Sequence, residues 1–415
     1  MIDFSDPDFL QDPYPILNAA REATPIFDQV GDDGTRRWFL TRYEDVFRVL
    51  RDRRLGRVPE PIMTRAEVGL PPLRPEWGPY NDIEQWSLLM LEPPEHRRLR
   101  QLVYREFTPK RIEGLRSAIV GHADRLLQKA SNNPRFDLLS DFAQPFSIHV
   151  IAELLGAPLE DWPRYLDWSH RIVKMYELDT SDDQAAAAVR ASADFSSWCR
   201  DLIAQRRAHP ADDLISGLCT VETSDGRLSD SEIISTIVLL LNAGHEATVN
   251  SLGNGMVSVL STPGAWESIR SQRVAPRTAV EEMIRFDPPL QLFERWVLAD
   301  GVSYAGREFI RGEKVAMLFG SANRDPRHFN DPDEFVVGRG DASHITFGGG
   351  IHTCIGAPLA RLELSVAVER MAALMPGLHL VEPPTRNPAF VIHGYGAVEV
   401  SAGGSLEPEA LSYEP

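Results

Sequence analysis

Cysteine is scarce in this sequence: three residues among 415, Cys199, Cys219 and Cys354. The number is odd, the three lie far apart and none forms a C-x-x-C pair. This excludes a disulfide framework and a zinc knuckle, and it fits a reducing cytoplasm, where the protein is expected. Long hydrophobic runs are also lacking. The longest strongly apolar stretch, near Ile237 to Leu241, falls far short of the ~20 residues a membrane helix needs. The opening residues Met1 to Pro7 show no basic segment ahead of an apolar one, so no signal peptide is expected. Basic side chains are outnumbered, with 43 Lys and Arg against 60 Asp and Glu, a net charge of −17. Such a field repels polyanions, which argues against nucleic acid or an anionic membrane as a general partner. There is no internal repeat and no low-complexity tract.

What is present reads as an ordinary globular chain, 43% hydrophobic and 25% charged. Its 31 prolines are dispersed, pairing at Pro71-Pro72, Pro93-Pro94, Pro288-Pro289 and Pro383-Pro384 as punctuation between helices. Apolar residues recur at three and four over Ile112 to Lys129, Gln184 to Arg207 and Asp230 to Leu260. Helix is therefore expected over about 93–285 and 355–375. Shorter β-like stretches fall at about 35–60, 297–320 and 388–402, including Arg37 to Thr41 and Phe390 to Val400. The expectation is a mainly α protein with a minor β region, in one large domain over 1–415, and a monomer.

The segment richest in chemistry runs Phe347-Gly348-Gly349-Gly350-Ile351-His352-Thr353-Cys354-Ile355-Gly356. Three consecutive glycines let a backbone lie close against something flat. Leu359, Leu362, Glu363 and Val366 then fall at helical spacing, so a helix begins just past Cys354. A cysteine at that junction faces backbone N–H groups and the positive end of the helix dipole, which favour a thiolate. A lone cysteine in a glycine turn is ordinarily a buried structural residue, but the flanking Phe347 and His352 point to a ligand. Two further patterns stand out. Glu282 and Arg285 share a helix face and can pair. Around Ala243-Gly244-His245-Glu246-Ala247-Thr248, small residues interrupt an apolar helix beside an acid.

These segments resemble the cytochrome P450 family. Phe347 to Gly356 fits its F-G-x-G-x-H-x-C-x-G signature, Glu282-x-x-Arg285 its E-x-x-R motif, and Ala243 to Ala247 its A-G-x-[DE]-T pattern. The resemblance runs from about Pro93 to the end of the chain and implies a P450 fold. It implies haem b (iron protoporphyrin IX) with Cys354 as the metal ligand, whose thiolate favours O–O cleavage. Phe347, Gly356, Ala243 and Gly244 are then expected against the cofactor, and His96, Arg100, Arg295 and His352 at its propionates. Glu282, Arg285 and Arg339 become the structural support of the cysteine loop. Glu246 becomes the acid that relays protons.

One position departs from the family. The threonine expected after the acid is Ala247, and Thr248 lies about 100° further around the helix. Proton delivery is therefore expected to rely on Glu246, water and the substrate. The resemblance further implies monooxygenation of a small apolar substrate by O2, against walls that include Trp86, Leu88, Leu290, Gln291 and Tyr395. No G-x-G-x-x-G follows a strand and no flavin or iron–sulfur signature occurs, so electrons are expected from a separate ferredoxin. Arg97, Lys110, Arg111 and Arg361 are candidates for its dock. Two other classes stay open, a peroxide-driven enzyme and a non-catalytic haem sensor. Glu246 speaks against the first, since such family members carry an arginine there.

Overall fold

A computed structural model describes residues 2–403 apart from 32–33, 61, 178–179 and 224–225. Its centre is one helix, Asp230–Ser261, of 32 residues. Ser229 starts it with a capping box, its hydroxyl accepting from the Glu232 amide while the Glu232 carboxylate accepts from the Ser229 amide. Pro263, two residues past its end, cannot continue it. Helices Gln144–Leu155, Trp162–Ile172, Asp182–Ala208 and Pro276–Phe286 pack around it, and Ala357–Leu374 lies across the last of these. Their apolar faces merge into one large core.

Small residues set how closely these helices approach. A methyl group on Gly255 would stand 2.3 Å from Met283 Cε, and one on Gly244 3.1 Å from Ile151 Cδ1. Gly244, expected against the cofactor, is therefore first a packing residue. Its missing side chain admits the Gln144–Leu155 helix.

Beside the helices lies a five-stranded sheet in the order Ile26–Val30, Arg36–Leu40, Lys314–Leu318, Leu292–Val297, Leu55–Gly56. Only the Arg36–Leu40 and Lys314–Leu318 pair is parallel. The register sets Gly56 opposite Trp296, so Arg57 emerges beside Arg295 across 238 residues of chain.

Three expectations need correction. The 35–60 region holds two strands around a helix, Tyr43–Val49, whose Tyr43, Val46 and Val49 repeat at three and turn inward. The stretch Ile112 to Lys129 splits at Leu115 into Pro109–Gly114 and Arg116–Ala130. The 388–402 region is strand only at Glu399–Ser401. Its earlier part makes two isolated bridges, Leu290 with Ile392 and Arg386 with Tyr395. It is held instead by the Glu177 carboxylate, which accepts from the Val391 and Ile392 amides at 3.4 and 3.2 Å. Among the described residues, no helix is long and apolar enough to cross a membrane.

Candidate active site

The Cys354 loop is built by its backbone. Gly348 and Gly350 both take φ of +68°, the region where glycine alone is unstrained. A side chain on Gly350 would strike the Leu50 carbonyl at 2.3 Å. The Cys354 amide donates to the Phe347 carbonyl at 3.0 Å, closing the turn. Gly356 caps the Ala357–Leu374 helix, as the spacing predicts. Cys354 is exposed. The enclosing protein pushes its thiol pKa up; the Gly356 and Ala357 amides, with Arg100 and Arg361, work the other way. Ready-made N–H donors and two cations are the setting in which a thiolate is held.

The loop is fastened from three sides. Arg285 lies fully buried with Nε and Nη2 on the Glu282 carboxylate at 2.7 and 2.9 Å, and Arg339 Nε meets the same carboxylate at 3.1 Å. Arg285 also donates to the carbonyls of Asn323 and Pro332. Asn323 in turn accepts from the Ile345 amide and donates to Thr346. Arg361 joins Glu281 at 2.6 Å and covers the Phe347 ring at 4.4 Å. Arg100 Nη2 donates to the Thr353 carbonyl at 2.6 Å, so it touches the loop directly.

A second group of donors is only partly satisfied. His96 is buried with Nε2 unpartnered, its ring centre 4.4 Å from that of His352. Burial, then His352 and Arg100, lower its pKa to about 4. Arg295 is buried with Nη1 unpartnered, and burial followed by the charge of Arg57 lowers its pKa to about 9. Arg57 and Arg295 stand over one ring, Phe293, at 4.2 and 4.7 Å. His352 Nε2 lies 3.1 Å from Glu92 Oε1, which also accepts from the Arg57 amide. Burial works against the Glu92 charge, yet these partners hold its pKa below the usual range. Arg295 and His352 line a recess of about 210 Å³. A buried guanidinium with an unpartnered nitrogen is costly, so this donor set suits the two carboxylates of a haem. Arg57 escaped the sequence reading, because only the sheet register brings it here.

On the central helix, Ala243 and Ala247 are exposed although the residues before and after them are mostly buried. One turn apart, they present small apolar side chains on one face of the helix. Glu246 stands beside them, its Oε1 accepting from the Ser169 hydroxyl at 3.3 Å and lying 3.5 Å from His170 Nε2. Burial raises its pKa, with His170 and Ser169 opposing. Thr248 is buried on another face and spends its hydroxyl on the Gly244 carbonyl at 2.8 Å.

The expected walls fare unevenly. Trp86 is half-buried, and Leu290 is half-buried at its bridge to Ile392. Leu88 is buried in the helical core. Gln291 exposes nothing, and its Nε2 donates to the Tyr14 hydroxyl and the Pro288 carbonyl; it bolts the fold and faces no cavity. Tyr395 lies beneath the Arg386 guanidinium at 3.9 Å, in a cluster with Asp287.

Outside the cysteine loop runs a groove of about 1240 Å³ lined by Arg53, Arg54, Arg97, Arg100 and Arg105, together with Gly350 and Ile351. Of the four dock candidates, Arg97 lines it. Arg361 is tied to Glu281, and Arg111 approaches Glu106 and Asp212 at 3.5 and 3.6 Å. Lys110 is exposed away from that lining.

Comparison with known proteins agrees with this geometry. A family model described as cytochrome P450 matches residues 276–372. The polyketide biosynthesis cytochrome P450 PksS of Bacillus subtilis is 35% identical over 91% of this chain and 92% of its own. The cytochrome P450 monooxygenase PikC of Streptomyces venezuelae is 34% identical over 91% and 87%. Among solved structures, P450BioI in complex with an acyl carrier protein bearing hexadec-9Z-enoic acid superposes with a TM-score of 0.88. It is 30% identical and covers 95% of this chain and 99% of that one.

Proposed function

The chain belongs to the cytochrome P450 family and is a monooxygenase, and from that premise we propose that it hydroxylates or epoxidises a small, largely apolar substrate, drawing electrons from a separate ferredoxin-type protein. The observation that carries this reading is the exposed pair Ala243 and Ala247 on an otherwise buried helix, beside the buried acid Glu246. Small apolar side chains border the reaction space, and one proton-holding group stands at its edge.

In this reading Cys354 would hold the iron of a haem b, and His96, Arg295, His352 and Arg57 would receive its carboxylates. When bound, such a group supplies the activation of O2, and a thiolate ligand favours cleavage of the O–O bond. The chain's own residues do the rest. Arg100 and Arg361 hold the cysteine loop from either side, while the Glu282 pair fixes it from behind. Burial lets Glu246 carry a proton, and the Ser169 hydroxyl aims its Oε1. Thr248 is a poor replacement for the missing threonine, since it lies on another face of the helix and its hydroxyl proton is engaged by the Gly244 carbonyl. Water or a hydroxyl of the substrate completes the proton path beside Ala247.

The names of relatives support a class of substrate: a polyketide product, as for PksS, or a fatty acyl group, as in the P450BioI complex. Secondary metabolites, terpenoids, steroids and fatty acyl compounds all suit the apolar border. For the electron donor, the five-arginine groove is the local exception in a chain of net charge −17. It suits an acidic iron–sulfur protein. The experiment is a compound screen read by the shift of the haem absorption band on substrate binding. Turnover of each hit with ferredoxin and its reductase, or with peroxide alone, follows. Product only with the reductase chain supports the reading; product with peroxide alone contradicts it.

A further inference from the structure

His245 is wholly buried on the central helix, and neither ring nitrogen has a hydrogen-bond partner. Buried polar atoms in folded proteins are almost always satisfied, so an orphaned imidazole marks a place that an ion or a water completes. Two other donors stand beside it. Glu246 follows it in the chain, and His170 comes from near the end of the Trp162–Ile172 helix. One nitrogen of each histidine and one oxygen of Glu246 lie within 4.8 Å of one another. The two imidazole rings are 5.8 Å apart and inclined by 41°.

We propose that His170, His245 and Glu246 form a binding site for a divalent transition ion of the zinc class, with water as its fourth ligand. Two imidazoles and a carboxylate are a donor set that such ions take, and three protein ligands leave one position open. Ligands at about 2.0–2.1 Å from a tetrahedral ion stand roughly 3.4 Å apart, so the cluster closes by up to about 1.4 Å when it fills. His170 supplies that movement and the entry path, since its side chain is 43% exposed. The Ser169 hydroxyl, on Glu246 Oε1 at 3.3 Å, orients the carboxylate as outer partners of metal ligands do.

An ion bound here takes up the Glu246 side chain as a ligand. Filling the site therefore withdraws the acid from proton delivery and diverts reducing equivalents to peroxide. This consequence rests on the role proposed above for Glu246; the binding site itself does not.

The holoenzyme, stripped with EDTA, is titrated with zinc chloride in a calorimeter beside His170→Ala, whose fold is verified by circular dichroism. One saturable zinc per chain is expected in the parent, and its loss in the variant. No saturable binding in the parent, or unchanged binding in His170→Ala, overturns the site. The share of reductant recovered as peroxide is then measured at saturating zinc. It is expected to rise in the parent and to stay level in the variant. Bound zinc that leaves the parent's share unchanged overturns the regulatory half and speaks against Glu246 as the proton carrier, while the site stands.

Discussion

Arg57 and Arg295 stand over the same phenyl ring, Phe293, at 4.2 and 4.7 Å, a half-buried guanidinium with a buried one. Arg57 spends Nη1 on the Glu294 carbonyl, whereas Arg295 Nη1 has no partner. Without an anion this arrangement is destabilising; with the carboxylates of a haem it becomes a clamp. Arg295→Met is therefore expected to act in opposite directions on two states. The haem-free protein gains about 1–3 kcal/mol, the cost of an unsatisfied buried group, while haem retention falls. Thermal melts of both forms and the haem content after gel filtration check this. A loss of stability in both forms contradicts it.

Glu282 carries two arginines, and its loss leaves both cations buried or nearly so. Removing one partner of a buried pair costs roughly 3–5 kcal/mol. Glu282→Ala is expected to lose at least that in urea denaturation and to expose the Cys354 loop to protease. Arg339→Ala is expected to cost less, because Arg285 still pairs with Glu282.

Proton delivery is tested at two neighbouring positions. Ala247→Thr is expected to raise the share of reductant recovered in product over peroxide. Thr248→Val is expected to leave that share nearly unchanged, because its hydroxyl is bound to the Gly244 carbonyl within the helix. Oxygen uptake, peroxide and product measured together separate the two. The reverse ranking counts against the reading of Glu246 and Ala247.

Glu84 gives a pH signature. Its carboxylate accepts from the Tyr176 hydroxyl at 2.9 Å, its Oε2 is buried without a partner, and burial raises its pKa to about 7. The folded state thus holds this proton more tightly than the unfolded chain does. Its contribution is full below the unfolded value near 4.5 and is lost as pH rises to about 7, an amount of about 3 kcal/mol from the size of the shift. Glu84→Gln is expected to gain stability relative to the parent by about that much between pH 4.5 and 8. Other titrating groups cancel in the difference. Parallel urea curves at the two pH values check it.

Much of the site was legible because its chemistry is local. The glycines around Cys354, the Glu282–Arg285 spacing and the small residues Ala243 and Ala247 each act within one turn of chain, and each sits where helix or turn geometry puts it. What escaped depends on distant pairing. Arg57 meets Arg295 only because Gly56 lies opposite Trp296 in the sheet. Gln291 looked like a wall because it follows the Pro276–Phe286 helix. Tyr14, from the other end of the chain, draws it inward. The 388–402 stretch reads as strand from its Val, Ile and Phe residues. A methyl on Gly394 would stand 1.8 Å from the Asn250 side chain, so close packing on the central helix sets its path there.

The account turns on Cys354 as the iron's ligand, and one spectrum tests it most directly. The reduced protein is exposed to carbon monoxide and its main absorption band recorded, alongside Cys354→His. The parent is expected to show the strongly red-shifted band of a thiolate-bound haem, and the variant the shorter-wavelength band of an imidazole-bound one. The same band position in both proteins contradicts the assignment.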